Sequence, residues 1–406
     1  MIPASNGDKK TALVLPGGGA RGAFQVGVLK ALAEMMPKGS PNPFDVISGT
    51  SAGAINSVVL ASKARRFRVA VAELDRVWGG FRCEQVYRTD NLTMLKSSLH
   101  WLASIVLGGF LVGTPKSLLD NAPLRALLSR NIRFPRIEDA IDKGFLEAVA
   151  VTAASYDSAR STSFYQACME SSSWSRTRRV GVPVDLHLDH LMASIAVPMI
   201  FPPVQINGEY FGDGAMRQAT PLSPAIHLGA DRILVLGVRD ETADKAPPVE
   251  AARRHPSFAQ IAGYMLDTLF MDGLYSDLER MTRINQLIDA VRPEHRTGAL
   301  AEMRPIDTML IVPSEDLREI AHTHRRRLPF AIRALLRGIS GRRPSEDRLL
   351  SFLLFDEKYT RDLIDLGYRD AMKVKDELFA FVRGDDVPRL FAPNWISRDL
   401  SSLHGE

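Results

Sequence analysis

In Gly49-Thr50-Ser51-Ala52-Gly53 a serine stands between two glycines, and that spacing makes Ser51 a candidate nucleophile. A hydroxyl held clear of the backbone at a sharp turn needs strained dihedrals, and the positions two residues away cannot carry bulky side chains. Glycine at 49 and 53 meets both demands. The apolar run Phe44-Asp45-Val46-Ile47-Ser48 before it predicts a strand, and Ala54, Ile55, Val58, Val59 and Leu60 after it predict a helix. In a strand–turn–helix arrangement the unpaired first amides and the positive dipole end of the helix face Ser51, where a tetrahedral oxyanion would need them. The alternative is an ordinary Gly/Ser-rich turn.

A second glycine motif lies upstream. Thr11–Leu15 predicts a short buried strand, followed by Pro16-Gly17-Gly18-Gly19-Ala20-Arg21-Gly22 and a helix with Phe24, Val28, Leu32 and Met35 on one face. Gly17, Gly19 and Gly22 satisfy G-x-G-x-x-G, which after a strand suggests a dinucleotide site. Such a site also needs an acidic residue at the end of the second strand, roughly 20 residues on. Here the second strand ends in the Ser51 turn, and Asp45 sits at its beginning. The other use of such a loop is to offer bare backbone amides to a negative charge. An oxyanion hole formed by 17–22 fits this use. The planar guanidinium of Arg21 suits hydrogen bonds that hold the loop, or an anionic group; it is expected to be a supporting residue.

The third feature is Asp213-Gly214-Ala215, after Val204-Gln205-Ile206-Asn207-Gly208-Glu209-Tyr210-Phe211. Asn-Gly between alternating residues predicts a type I′ hairpin. Asp213 then emerges at a strand end, where open α/β sheets gather their chemistry.

The elements that must position these residues are predicted strands near 11–15, 44–48, 146–152 and 232–237 with helices between them. The fold class is therefore α/β, with a mostly parallel central sheet and helices on both faces. Beyond residue 240 the pattern changes to a polar linker with Pro247 and Pro248, a long helix over 258–291, one late strand over 308–313, and helices over 349–355 and 359–382. This divides the chain into a tail at 1–10, a catalytic region at 11–240 and a mainly helical C-terminal region at 241–406. The last is packed on the catalytic region or caps its cleft.

Taken in order, Gly17-Gly18-Gly19-Ala20-Arg21-Gly22, Gly49-Thr50-Ser51-Ala52-Gly53 and Asp213-Gly214-Ala215 resemble the marks of the patatin-like phospholipase family. The resemblance is to its bacterial type, with a C-terminal helical extension. Met192-Ala193-Ser194-Ile195-Ala196-Val197-Pro198 through Phe201-Pro202-Pro203 is similar to the family's approach to its aspartate, and Gly229-Ala230-Asp231 to its next unit. The resemblance covers roughly residues 10–240 and implies a serine–aspartate dyad. Ser51 would attack an ester carbonyl of a phospholipid or lysophospholipid, Asp213 would take its proton, the loop amides would stabilise the oxyanion, and water would free the fatty acid from an acyl-enzyme. It implies neither metal nor cofactor. A Ser-Asp-His triad remains the competing design, with His227 as the first histidine after Asp213.

Composition agrees with a globular enzyme: 406 residues, 45% hydrophobic and 24% charged. Cys83 and Cys168 form no disulfide framework, and Met1–Lys10 carries no apolar leader, so a cytoplasmic location is expected. The uncharged run Ser97–Pro115, within an insertion at about 92–115, falls short of a membrane span of about 20 apolar residues and is read as core, lid or membrane-docking surface. The net charge is +4, with basic runs at Lys63–Arg68, Arg176–Arg179 and Arg325–Arg343. Such clusters attract anionic headgroups or are simply solvated faces. No aromatic-interleaved nucleic-acid module is present, so the expected partners are a lipid substrate and, peripherally, a membrane. Two further classes stay open, a dinucleotide-binding protein and a catalytically silent membrane-binding module.

Overall fold

Continuous apolar runs too short for a stable helix become neighbouring parallel strands. β1 (Thr11–Leu15), β2 (Val46–Thr50) and β3 (Ala148–Ser155) are buried at every residue, as is β9 (Arg232–Leu236), so both faces of the sheet are covered. The computed structural model describes residues 9–88, 117–168, 173–239, 258–334, 347–385, 387–388 and 390–391. The remaining strands are β4 (Ser161–Ala167), β5 (Ser175–Arg176), β6 (Arg179–Pro183), β7 (Val204–Ile206), β8 (Glu209–Asp213), β10 (Asp307–Ile311) and β11 (Leu390–Phe391). All belong to one sheet of order β11-β10-β9-β1-β2-β3-β4-β6-β5, with β8 on β3 and β7 on β8. From β11 to β3 every neighbour is parallel; β4 and β8 join β3 antiparallel.

The chain runs outward from β1 in both directions, through β2 and β3 on one side and through β9 and β10 on the other. In open α/β sheets the crevice at such a reversal, beyond the carboxyl ends of the strands, is where ligands bind. β1 ends in the glycine loop and β2 ends in Ser51, so the two motifs emerge side by side at that edge. Asp45, by contrast, accepts the Thr11 amide at 2.7 Å at the amino end of the same strands.

Helices α1 (Ala23–Met35), α2 (Ala52–Ser62) and α3 (Phe67–Trp78) follow the motifs. The mainly helical C-terminal region adds β10 and β11 to the same sheet and lays the Glu357–Lys373 helix across α1. The crossing is close because both helices offer glycine: a Cβ on Gly27 would meet the Ile364 carbonyl, and one on Gly367 the Phe24 carbonyl. Phe355 packs edge-on against Phe81 and Tyr87 in the same core.

The long helix observed at Phe258–Ala290 agrees with the predicted one, and the hairpin turn has Asn207 at φ 50° and Gly208 at φ 89°, as a type I′ turn requires. β2 begins two residues later than expected and runs to Thr50, because its parallel pairing with β3 continues to Thr50–Thr152. The helix expected over 359–382 is two helices, Glu357–Lys373 and Lys375–Arg383, broken at Val374 (φ −122°, ψ 32°). The run Ser97–Pro115 lies outside the described residues. Among the described residues no helix is long and apolar enough to cross a membrane.

Candidate active site

Ser51 precedes the first residue of α2 with φ 53° and ψ −126°, a conformation that non-glycine residues rarely adopt. The flanking glycines lock it in place. A Cβ on Gly53 would run into the Leu15 carbonyl, and one on Gly49 into the Gly53 carbonyl and the Ser57 hydroxyl. A further brace comes from Ser194: its hydroxyl accepts the Ser51 amide at 2.9 Å and donates to the Thr152 carbonyl at 2.6 Å. The Ser51 amide is therefore occupied, while the hydroxyl side chain lines a cavity.

Asp213 reaches this point through strand register. β2 and β8 share one edge of β3, since β4 occupies the other. β2 leaves that edge after Thr50 pairs with Thr152, and β8 takes it up one residue later, where Asp213 pairs with Ala153. The end of one strand thus abuts the end of the other, bringing Ser51 and Asp213 together. Gly214 permits the approach, because a Cβ there would strike the Thr152 carbonyl and the Thr50 methyl. The Ala215 amide donates to Oδ1 of Asp213 at 2.9 Å, while Oδ2 is buried with no partner of standard hydrogen-bond geometry. Burial pushes the Asp213 carboxyl up to about 7, against the opposing pull of the Ser51 hydroxyl and the Ala215 amide. A carboxyl in that range can take a proton at neutral pH and give it back.

The glycine loop closes the third side. Gly17 and Gly18 are buried, Gly19 opens to the cavity at φ 55°, and Gly19–Gly22 form a single 3₁₀ turn leading into α1. The amides at the start of that turn have no intrahelical acceptor and suit an anion. Gly22 lets the starts of α1 and α2 meet: a Cβ there would lie 3.0 Å from that of Ala52 and 3.1 Å from the Trp78 ring. Ala20 is fully buried beside them. Beneath the loop, Gln25 Nε2 donates to the Pro16 and Leu236 carbonyls at 2.9 and 3.0 Å, Asn56 donates to Gln25 Oε1 at 2.9 Å, and the Trp78 indole donates to Asn56 at 2.7 Å. Arg21 is buried and turns away to the C-terminal region.

Gly19 and Ser51 line a cavity of about 50 Å³ together with apolar side chains including Ile55, Phe201, Leu266 and Phe352, while Asp213 is buried outside that lining. Several of its supports carry no motif. Ser194 lies within the segment already set apart at 192–203, but Gln25, Asn56 and the C-terminal lining residues are indistinguishable in sequence from ordinary helix positions.

His227 is elsewhere engaged: Nδ1 lies 2.8 Å from the Ser223 carbonyl of its own turn, and the ring stacks on Trp174 with centroids 4.9 Å apart. It does not line the cavity. The basic run at 63–68 sits at the far end of α2 from Ser51, and there Arg68 donates to the Glu34 and Met36 carbonyls at the end of α1. Among the described residues no cluster of three or more His, Cys, Asp or Glu side chains could hold a metal ion.

Comparison with known proteins adds to this geometry. The profile of the patatin-like phospholipases matches residues 13–226. The chain is similar to the lysophospholipase nte1 of Aspergillus terreus, at 50% identity over 56 residues, covering 14% of this chain and 3% of that protein. It is similar to patatin-like phospholipase domain-containing protein 7 of Rattus norvegicus, at 52% identity over 52 residues, covering 13% of this chain and 4% of that protein. Among solved structures, VipD from Legionella pneumophila aligns with a TM-score of 0.34 at 14% identity, over 91% of this chain and 67% of that one.

Proposed function

We propose that this chain, which belongs to the patatin-like phospholipase family, is a lipid acyl hydrolase that cleaves carboxylic esters of phospholipids or lysophospholipids with Ser51 and Asp213. The observation that carries the reading is the abutment of β2 and β8 on β3, which sets a strained serine beside a buried carboxyl raised to about 7.

Ser51 Oγ attacks the ester carbonyl as Asp213 accepts its proton, and the carbonyl oxygen becomes an oxyanion held by the glycine-loop amides and the start of α2. Collapse expels the alcohol, which takes the proton back from Asp213. The ester formed on Ser51 is then hydrolysed by a water that Asp213 deprotonates, releasing the fatty acid and restoring the serine. The apolar cavity wall supports an acyl chain as the part of the substrate held there. Contact with the surface of a membrane, where such substrates reside, belongs to the same reading.

Purified protein and its Ser51→Ala variant are compared on lysophosphatidylcholine and on a short-chain p-nitrophenyl ester. The expected result is fatty-acid and nitrophenol release by the wild type alone, with fluorophosphonate labelling lost in the variant. Equal hydrolysis by both proteins would overturn the assignment of Ser51. Absence of hydrolysis and of labelling in the wild type would point to a catalytically silent module.

A further inference from the structure

We propose that Ser351, from the C-terminal region, is a positioning residue that holds Arg21 and through it fixes the glycine loop. The proposal rests on the reading of that loop as the oxyanion-binding element. Ser351 lies on the short helix Asp347–Leu353, well outside the matched family segment at 13–226.

Two donors of one guanidinium converge on one oxygen. Nε and Nη2 of Arg21 donate to Ser351 Oγ at 3.0 and 2.7 Å, and that hydroxyl donates its own hydrogen to the Arg348 carbonyl at 2.7 Å. With its hydrogen committed to the helix, the oxygen acts toward Arg21 purely as an acceptor. Both side chains are buried, Arg21 at 2% exposure and Ser351 at 0%. The next residue makes two more contacts. The Phe352 ring covers the guanidinium, its centroid 3.9 Å from Cζ, and the Phe352 carbonyl occupies the place a Cβ on Gly19 would take.

Residues 351 and 352 therefore grip a three-residue stretch, Gly19–Arg21, while Gln25 and Asn56 hold the loop at its two ends through the Pro16 and Gly22 carbonyls. A planar guanidinium fixed by a directional acceptor and a stacked ring has little freedom, and neither lysine nor an unpartnered arginine reproduces this. A buried guanidinium deprived of an acceptor will move to find another. Movement at Arg21 is transmitted to amides one and two residues away. Oxyanion donors must be aimed to within a fraction of an ångström, and they act on the transition state more than on bound substrate. Ser351 touches no reacting atom, so its loss should lower kcat and leave KM largely alone.

Full-length Ser351→Ala, Ser351→Thr, Arg21→Lys and the Arg21→Lys/Ser351→Ala double variant are assayed on a short-chain p-nitrophenyl ester, with melting temperatures measured in parallel. The expected result is a fall in kcat of about tenfold for Ser351→Ala with KM within about twofold. Ser351→Thr, which keeps the acceptor, should recover most of the loss, and Ser351→Ala should add little on the Arg21→Lys background. Unchanged kcat, a change confined to KM, or strictly additive losses would overturn the proposal. So would a rise in kcat, which would make the segment a cover that hinders access. Where Ser351→Ala lowers kcat and melting temperature together, Ser351→Thr decides: recovery of kcat supports positioning, and continued loss overturns it. Ser51→Ala runs alongside, because hydrolysis that survives in that variant removes the hydrolase reading itself, whatever Ser351 does.

Discussion

The elbow at 49–53 and the glycine loop at 17–22 face the same cavity but are braced from different parts of the chain. Gly49 and Gly53 interlock with each other and with the Leu15 carbonyl, and Ser194 ties the Ser51 amide to β3. Every one of those groups lies within residues 13–226. The loop rests below on Gln25 and Asn56 but is held above by Ser351 and Phe352, some 330 positions away in sequence. The strained turn at Ser51, the proposed nucleophile, is thus built by local sterics, whereas the turn proposed to bind the oxyanion depends on a long-range contact. Perturbing the elbow should remove chemistry outright; perturbing the loop should grade it.

The largest effect is expected at Asp213. Asp213→Asn keeps the shape and the Ala215 contact but cannot accept the serine proton, so turnover should fall on the order of 10³-fold. The same change should stabilise the fold. The folded carboxyl titrates near 7, above its ordinary 3.8, so the native state binds more protons than the unfolded chain between those values. Stability contributed by this group therefore declines as pH rises from about 4 to 7, and the full penalty, on the order of a few kcal/mol, is present above that window. The Asn variant should melt higher than wild type at pH 8 and converge with it near pH 4, while wild-type turnover climbs as pH passes through about 7. Thermal melts and rate profiles from pH 4 to 9 check both; a variant equally active or less stable at pH 8 would sever Asp213 from the role assigned to it.

Within the loop, two neighbouring glycines should differ. Gly19 has φ 55° and abuts a backbone carbonyl that cannot move without its helix, so Gly19→Ala should cost on the order of 10² in kcat. Gly18 has φ 171°, which any residue adopts, and a Cβ there meets the Val238 side chain at 2.5 Å, which can rotate away. Gly18→Ala should therefore lose less than Gly19→Ala in paired steady-state assays. The reverse order would place the loop's constraint on the β9 side instead of under the C-terminal helix.

How much of this was legible in sequence follows the same division. The glycine motifs could be read because a tight turn imposes its demand on the residues at the turn, and Asn207-Gly208 announced its hairpin for the same reason. The pairing of Ser51 with Asp213 came only through the family resemblance and not from the pattern of the residues themselves, since it depends on β8 replacing β2 along β3 at Ala153. β4 escaped prediction because its buried stretch opens with the polar residues Ser161, Thr162 and Ser163, the last bonded through its hydroxyl to Thr152 at 3.0 Å, which leaves no apolar alternation. Ser351 sits in a stretch whose pattern marks it only as helix.

A smaller effect is expected from the elbow's hydroxyl brace. Ser194→Ala leaves the Ser51 amide without its acceptor in a fully buried place, at a cost of roughly 1–3 kcal/mol in stability. Because the flanking glycines still impose the turn, kcat should fall only about tenfold, far less than for Asp213→Asn. Denaturant melts beside kinetics separate the two. A loss of activity as deep as that of Ser51→Ala would mean that sterics alone do not hold the elbow.

The smallest effect is expected at His227, and it bears on whether the cavity's two walls suffice. A triad would need the imidazole to reach Asp213 or Ser51, yet its Nδ1 faces the Ser223 carbonyl and its ring is stacked on Trp174. Desolvation lowers its pKa, which keeps it neutral at physiological pH and suited to that stacked position. His227→Ala should therefore leave kcat/KM within about twofold of wild type and lower the melting temperature modestly through the lost stacking. A rate loss matching that of Ser51→Ala would require a base outside the β2–β8 junction, and the carboxyl at Asp213 would become a brace for the third motif instead of the group that moves the proton.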